Sequence, residues 1–160
     1  VKSLVYVAGF APEKGESALA LSVQFPGSTL GAALAPPVVL ADGNKDLYIQ
    51  QEKVPAQFAA DVPLAEATRM AATQRPVTEA ALNEASGEAA WKSIPSWFIY
   101  GDQDRNIPAA ALDFMAKRAG SRKTVAIAGA SHVVMLSHAR EVAGLIDEAA
   151  KAVPGTIAAR

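Results

Sequence analysis

Residues 96–108 of the chain read SWFIYGDQDRNIP, and this stretch decides the fold. Its apolar part, 97–100, ends abruptly in the acids Asp102 and Asp104. A short apolar run bounded by turn formers is typical of a buried β-strand. A second run of this kind, at 124–128, is followed by Gly-Ala-Ser-His at 129–132. The sequence therefore places acids after one predicted strand and a histidine after another.

Strands and helices alternate along the second half of the chain. The predicted elements are strand 96–100, helix 108–119, strand 123–128 and a last helix at about 138–152 with Ser137 as its N-cap. A short strand is also predicted at 3–8. Alternation of this kind is typical of a parallel sheet with crossover helices. We therefore predict an α/β fold built on three core parallel strands with their helices.

Residues 12–91 follow a different pattern. Turn formers at 42–45 separate two β-type runs and predict a hairpin over 38–49. The other predicted elements of this region are short helices at about 17–25, 53–60, 63–73 and 78–85. None of them groups catalytic side chains, so we interpret about 12–91 as a mainly helical lid or cap. The core of one partial domain would then comprise 1–11 and 92–160.

The composition restricts the possible function classes. The chain has 160 residues, 51% of them apolar, which is enough for one domain with a core. Charged residues make up 19%, are interspersed and give a net charge of −1, so we expect no nucleic-acid partner. With no cysteine and only two histidines, which lack ligand spacing, we expect no metal site. No apolar run approaches the length of a bilayer span, so we expect a soluble protein without a membrane partner, with cytoplasm and periplasm both open.

Asp104 and His132 are the residues that point to chemistry. In open parallel sheets, reacting groups collect at the carboxyl ends of the strands, where both residues are predicted to lie. The acid would orient the imidazole through one ring nitrogen and leave the other to face a serine nucleophile. Asp102 competes for the orienting role, although it could instead accept backbone donors in its turn. Arg105 could pair with either acid or be a solvated surface residue.

The other polar residues near the histidine are assigned no catalytic role. We expect Ser131 to be structural, because a neighbour in sequence of the base points away too readily, and His138 to be exposed. A Gly-x-Ser-x-Gly nucleophile motif is absent from the sequence, and neither Ser17 nor Ser28 lies on a strand-to-helix turn. The run at 1–7 is already β-type, so we expect a cut end and a nucleophile-bearing N-terminal half that precedes Val1.

Three segments carry a resemblance to a known family. They are LVYVAGFAP at 4–12 with GES at 15–17, GDQD at 101–104, and SHVVMLS at 131–137. On these segments the chain resembles the C-terminal half of an α/β-hydrolase. It is most similar to the small esterase branch that includes bacterial aryl- and carboxylesterases, plant methylesterases and hydroxynitrile lyases.

The resemblance implies roles for individual residues. Asp104 would be the acid and His132 the base of a Ser-Asp-His triad, and Phe10 and the lid would line the substrate pocket together with Val133. Hydroxynitrile lyases of this branch carry a lysine directly after the catalytic histidine, where this chain has Val133. The resemblance therefore favours ester hydrolysis over cyanohydrin cleavage, and it implies neither a metal nor an organic cofactor.

The sequence thus predicts a serine hydrolase, most readily a carboxylesterase of small esters, in which this chain supplies the acid and the base. Its partners would be the ester substrate and the missing half of the enzyme or a partner chain. A perhydrolase or dehalogenase of the same fold is one alternative, and a ligand-sensing relative is another. A third is a non-catalytic truncated module that associates through an exposed sheet edge, with a partner chain or with itself as a homo-oligomer.

Overall fold

The computed structural model describes residues 1–152, which contain two small sheets and eight α-helices. The strands in chain order are β1 (Leu4–Val7), β2 (Val38–Val39), β3 (Lys45–Leu47), β4 (Val77–Thr78), β5 (Ser96–Gly101) and β6 (Lys123–Ile127). The helices are α1 (Ala18–Gln24), α2 (Leu30–Ala33), α3 (Val54–Gln57), α4 (Leu64–Thr73), α5 (Glu79–Asn83), α6 (Ala109–Arg118), α7 (Val134–Ser137) and α8 (Ala139–Lys151). Two 3-10 turns occupy Gln51–Lys53 and Ala90–Lys92.

A parallel three-stranded sheet in the order β1-β5-β6 forms the centre of the fold. Strand β5 lies in the middle, pairs with both neighbours in parallel and is buried along its whole length. Burial on both faces explains why its sequence is a nearly continuous apolar run rather than an alternating one. The predicted α/β fold with three core parallel strands is confirmed.

The two faces of this sheet are covered by different helices. Phe98 and Tyr100 point to one face and share a buried cluster with Leu112 and Met115 of α6. Trp97 and Ile99 point to the other face, where the buried residues of α8 are Val142, Leu145 and Ala149. Alternate residues of a strand face opposite sides, so one strand supplies both cores. The spacing of the α8 residues is that of one helix stripe.

The remaining elements, α1 to α5 and the antiparallel sheet β2-β3-β4, lie between residues 12 and 91. The predicted hairpin corresponds to β2 and β3, which pair in antiparallel fashion. The division into a core and a lid at these boundaries stays a prediction. The last residues of the predicted core segment, 153–160, lie outside the described residues.

The predicted N-cap of the last helix is wrong. Ser137 ends the short helix α7, and His138 is the N-cap residue of α8. The cause lies in the run Val-Met-Leu-Ser at 134–137, which forms a helical turn of its own. Within the described residues, no helix is both long enough and apolar enough to cross a membrane.

Candidate active site

Asp104 and His132 meet just beyond the carboxyl ends of β5 and β6. The Nδ1 atom of His132 lies 2.6 Å from Oδ2 of Asp104. The side chain of Asp104 is 0% exposed, whereas that of His132 is 17% exposed. An ionised carboxylate can only accept a hydrogen bond, so this contact requires the imidazole proton on Nδ1. The lone pair of a neutral His132 is then left on Nε2.

The second carboxylate oxygen of Asp104 is held by its own loop. Oδ1 accepts hydrogen bonds from the backbone N–H groups of Asn106, at 2.8 Å, and Ile107, at 3.0 Å. Aspartate commonly accepts from the backbone two residues on, and this contact fixes the turn. The two oxygens therefore have separate partners, and the loop sets the direction in which Oδ2 faces the imidazole.

The competing acid, Asp102, has a different partner. It is exposed, and its Oδ1 accepts a hydrogen bond of 2.7 Å from the backbone N–H of Gly129. Its own N–H donates to the carbonyl of Ile127 at 3.1 Å, so Asp102 ties its loop to the end of β6. Arg105 is also exposed and donates to the carbonyl of Ala56, at 3.1 Å, rather than to either aspartate. The structure thus brings Asp104, and not Asp102, to the histidine.

The loops that carry the acid and the histidine pack backbone against backbone at Gly101. A Cβ atom placed on Gly101 would lie 2.2 Å from the carbonyl oxygen of Ala130 and 2.4 Å from that of Ser131. The N–H of Gln103 also donates to the carbonyl of Ala130 at 3.0 Å. Only glycine leaves room for this approach, which brings the segment before His132 against the end of β5.

His132 opens into a large cavity. The cavity has a volume of about 1010 Å³, and its lining is chiefly apolar, with Phe10, Leu30, Val54, Phe58, Met70 and Leu82 among its members. The ring of Phe58 packs against the imidazole of His132, with centroids 4.8 Å apart and an angle of 52°. Among the residues that the structure describes, none hydrogen-bonds to Nε2 of His132. An apolar cavity with one available basic nitrogen at its wall is suited to proton transfer from a bound molecule.

The two residues predicted to bind substrate are placed differently. Phe10 lies in the lining of the cavity. Val133 is only 3% exposed and packs with Ala59 and Ala67, outside the lining. Its side chain therefore holds the histidine loop against α4 and the segment that precedes it.

Two residues near the site carried no signal in the sequence. Gln57 of α3 is buried and donates from Nε2 to the carbonyl of Arg105, at 2.9 Å, and to Oδ1 of Asn106, at 3.1 Å. Asp61 accepts a hydrogen bond from the hydroxyl of Ser131. Gln57 is the last residue of α3 and Asp61 lies in the turn between α3 and α4, so both are far along the chain from the loops that they contact. Local pattern and motif spacing give no indication of such contacts.

His138 was expected to be exposed, but the structure shows it half-buried. Its side chain is 30% exposed, and its Nε2 lies 3.7 Å from Oδ2 of Asp61. Ser131 is buried and donates from Oγ to the carbonyl of Phe58 at 3.3 Å, in addition to its bond to Asp61.

Within residues 1–152, no group of three or more histidine and acidic side chains is arranged to hold a metal ion.

Solved structures of similar fold agree with this architecture. The structure of polyneuridine aldehyde esterase superimposes with a TM-score of 0.72 at 16% identity, over 92% of this chain and 62% of the other. A methylesterase from Arabidopsis gives 0.63 at 14% identity, over 94% and 60%. Tomato methylketone synthase I, solved with 2-tridecanone, gives 0.67 at 18% identity, over 93% and 61%. These identities establish similarity of fold.

The chain spans about 62% of the length of the first of these proteins, so it corresponds to part of such a fold. Among curated proteins, none matches the chain. A family model described as "Alpha/beta hydrolase family" matches residues 1–145. The resemblance to the α/β-hydrolase family seen in the three sequence segments is confirmed. Because the family model covers far more than half of its length, the chain belongs to the α/β-hydrolase family.

Proposed function

We propose that this chain supplies the acid, Asp104, and the general base, His132, of a serine carboxylesterase that acts on small esters. The observation that carries the proposal is the 2.6 Å hydrogen bond between a wholly buried Asp104 carboxylate and the Nδ1 atom of a histidine that opens into a cavity. Membership of the α/β-hydrolase family supports the same roles, because in that fold the acid and the base follow the nucleophile along the chain.

The geometry suits both half-reactions of an acyl transfer. Nε2 of His132 would take the proton of the serine hydroxyl as its oxygen attacks the ester carbonyl, and the Asp104 carboxylate would stabilise the resulting imidazolium. The imidazolium would then return the proton to the alcohol as the ester C–O bond breaks. In the second half-reaction His132 would deprotonate water, which releases the acid from the acyl-enzyme. The proton on Nδ1 stays in place throughout.

The nucleophile and the oxyanion donors belong, in this proposal, to a segment outside these 160 residues. The sequence contains no Gly-x-Ser-x-Gly motif, and the serines that come closest to one have structural contacts. Ser17 caps α1 by accepting from the N–H of Ala20 at 3.1 Å, and the hydroxyl of Ser28 donates to the carbonyl of Arg105 at 3.4 Å. The partial coverage of the similar structures supports the same placement.

The cavity and the residue after the base support an ester substrate. The lining is chiefly apolar, which favours an uncharged acyl or alcohol group over a charged one. Val133 follows His132 directly, so no cation stands at that position to stabilise a cyanide leaving group. Ester hydrolysis is therefore favoured over cyanohydrin cleavage.

Hydrolysis of a short p-nitrophenyl ester tests the proposal. The enzyme that contains this chain together with its nucleophile segment should hydrolyse the ester, and His132→Ala should abolish turnover. The purified 160-residue chain should show none. Turnover by that isolated chain, lost in His132→Ala, would contradict the placement of the nucleophile, and turnover unaffected by His132→Ala in the complete enzyme would contradict the role of the base.

Light scattering of the same isolated chain addresses the non-catalytic alternative. A homo-oligomer of the 16.6 kDa chain, combined with the absence of ester hydrolysis by the complete protein, would favour a module that associates through an edge strand of its sheet, β1 or β6.

A further inference from the structure

We propose that Asp61, in the turn between α3 and α4, is a positioning residue for the base His132 and acts on it through Ser131. The proposal rests on the proposed function of His132 and adds a residue that has no place in the triad. Residues between 58 and 67 contact three consecutive positions of the histidine loop, Ser131, His132 and Val133, and these contacts are the basis of the proposal.

The first contact is the hydrogen bond from Ser131 to Asp61. Ser131 is 2% exposed, and its hydroxyl donates to Oδ1 of Asp61 and also approaches the carbonyl of Phe58 at 3.3 Å. A hydrogen bond to a charged acceptor is stronger than one between neutral groups. Ser131 directly precedes His132, so this bond fixes the backbone from which the imidazole extends.

The next two positions of the loop contact the same segment. The imidazole of His132 packs on the ring of Phe58, with centroids 4.8 Å apart. Val133 is buried with Ala59 and Ala67, against which Phe58 also packs. These apolar contacts pack the histidine loop against the segment, but they are not directional and so do not fix the orientation of the loop backbone. The hydrogen bond between Ser131 and Asp61 is the directional contact of the three.

The surroundings of Asp61 favour its ionised form. Burial disfavours the ionised carboxyl, but hydrogen bonds, with Ser131 the leading donor, outweigh it and lower the pKa of Asp61 below its ordinary value. The second oxygen, Oδ2, is buried without a hydrogen-bond partner among the described residues, and Nε2 of His138 lies 3.7 Å away. A buried carboxylate lowers the stability of a fold unless it is paired and hydrogen-bonded. Asp61 does not line the cavity, so its carboxylate does not contact a molecule bound there.

Kinetics of variants of the complete enzyme test the proposal. Asp61→Ala should lower kcat on the order of tenfold to a hundredfold, because small displacements of a reacting group have effects of this size. KM should change less than about twofold, since Asp61 does not line the cavity. Ser131→Ala should give a similar loss, and the double variant should lose little more than either single one, because both remove the same bond. Asp61→Asn should restore part of kcat, because its amide oxygen still accepts from Ser131.

A matched control separates this effect from a general effect of charge. Asp147→Asn makes the same chemical change at an exposed position of α8, where Asp147 pairs with Lys151, and it should leave kcat and KM within about twofold of the wild type.

A spectroscopic readout makes the test independent of turnover. The Nδ1–H proton of a histidine bonded to a buried carboxylate gives a far-downfield resonance, which His132→Ala would identify by its loss. We expect Asp61→Ala and Ser131→Ala to weaken or shift this resonance, and Asp147→Asn to leave it unchanged. Asp61→Asn and Ser131→Ala decide the question if Asp61→Ala does not fold.

An unchanged resonance together with an unchanged kcat in Asp61→Asn and Ser131→Ala would overturn the proposal. So would a loss that appears only as a higher KM, which indicates an effect on substrate binding, or only as a lower melting temperature, which indicates an effect on stability. If His132→Ala retains activity, the proposed function fails, while a resonance that responds to Asp61 would still support the positioning of His132.

Discussion

Asp104→Asn tests whether the buried carboxylate sets the tautomer of His132. The substitution keeps the size of the side chain but replaces one accepting oxygen by an amide NH₂ group, which only donates. The native carboxylate has three partners to satisfy. Oδ1 accepts from the N–H groups of Asn106 and Ile107, and Oδ2 accepts from Nδ1 of His132. An asparagine cannot accept from all three.

The amide has two orientations, and their energies decide the outcome. If its oxygen faces His132, the NH₂ group meets two backbone N–H donors and leaves them without acceptors, at a cost of about 1–3 kcal/mol for each donor. If the oxygen faces the backbone, the NH₂ group faces Nδ1 of His132, which must then accept. A change of imidazole tautomer costs much less than two buried orphan donors. We therefore expect the second orientation, in which the proton of His132 lies on Nε2.

The expected losses follow from this orientation. A histidine protonated on Nε2 cannot accept the serine proton, and the equivalent change in a serine-protease triad lowers kcat about 10⁴-fold. Hydrogen bonds to a charged acceptor contribute about 1–1.5 kcal/mol more than bonds to a neutral one. The two backbone bonds to Oδ1 should therefore weaken by about 2–3 kcal/mol in total, which appears as a lower free energy of unfolding.

Hydrolysis of a p-nitrophenyl ester and urea unfolding of the complete enzyme measure the two losses. Asp102→Asn is the matched control, because Asp102 lies two residues earlier in the same loop and its side chain accepts from the backbone N–H of Gly129 rather than from His132. We expect this control to change kcat by less than about tenfold. A kcat of Asp104→Asn within about tenfold of the wild type, or an equal loss of kcat in Asp102→Asn, would refute the role of Asp104 in setting the tautomer of His132.

Two further predictions concern the packing of the loops. Gly101→Ala should lower kcat on the order of a hundredfold and destabilise the fold by about 1–3 kcal/mol, because its Cβ would meet the Ala130 carbonyl at 2.2 Å. Gly144→Ala, in α8 with no atom near its added Cβ, is the control and should stabilise the fold by about 0.5–1 kcal/mol in thermal unfolding. Glu16→Gln should reduce the loss of stability in acid, because the hydrogen bonds from Arg118 hold the pKa of Glu16 below its ordinary value against the effect of burial. That contribution to stability is present above the unfolded pKa of about 4.3 and is lost as the pH falls through the folded pKa of Glu16. The melting temperatures of the wild type and the variant should therefore converge in acid.

The acid and the histidine could be located from the sequence because their signals are local. Each follows an apolar run that ends in a turn, and in a parallel sheet such positions fall at one edge. The choice of Asp104 over Asp102 came from family resemblance. The structure gives the physical reason, since the loop turns Oδ1 of Asp104 onto the N–H groups of Asn106 and Ile107 and leaves Oδ2 for the imidazole.

The contacts of Asp61, Gln57 and Val133 could not be predicted in this way. Asp61 is 70 residues from Ser131 along the chain, and Gln57 is 48 residues from Arg105, so no periodicity relates the partners. Val133 follows the base directly, and the family resemblance implies a place for it in the substrate pocket. Its side chain instead enters the buried cluster with Ala59 and Ala67, a direction that the loop backbone sets and composition does not reveal.

Phe58 connects the shape of the cavity with the position of the base. Its ring lines the cavity and also packs on the imidazole of His132. Its backbone carbonyl accepts from Ser131, and its side chain packs against the cluster that contains Val133. A smaller residue at position 58 would enlarge the cavity and at the same time remove the surface on which the imidazole rests. Because both effects arise from one side chain, substrate range and proton transfer are coupled there. Substitutions at other lining residues, such as Leu30 and Leu82, are therefore expected to change the shape of the cavity without removing the ring on which the imidazole packs.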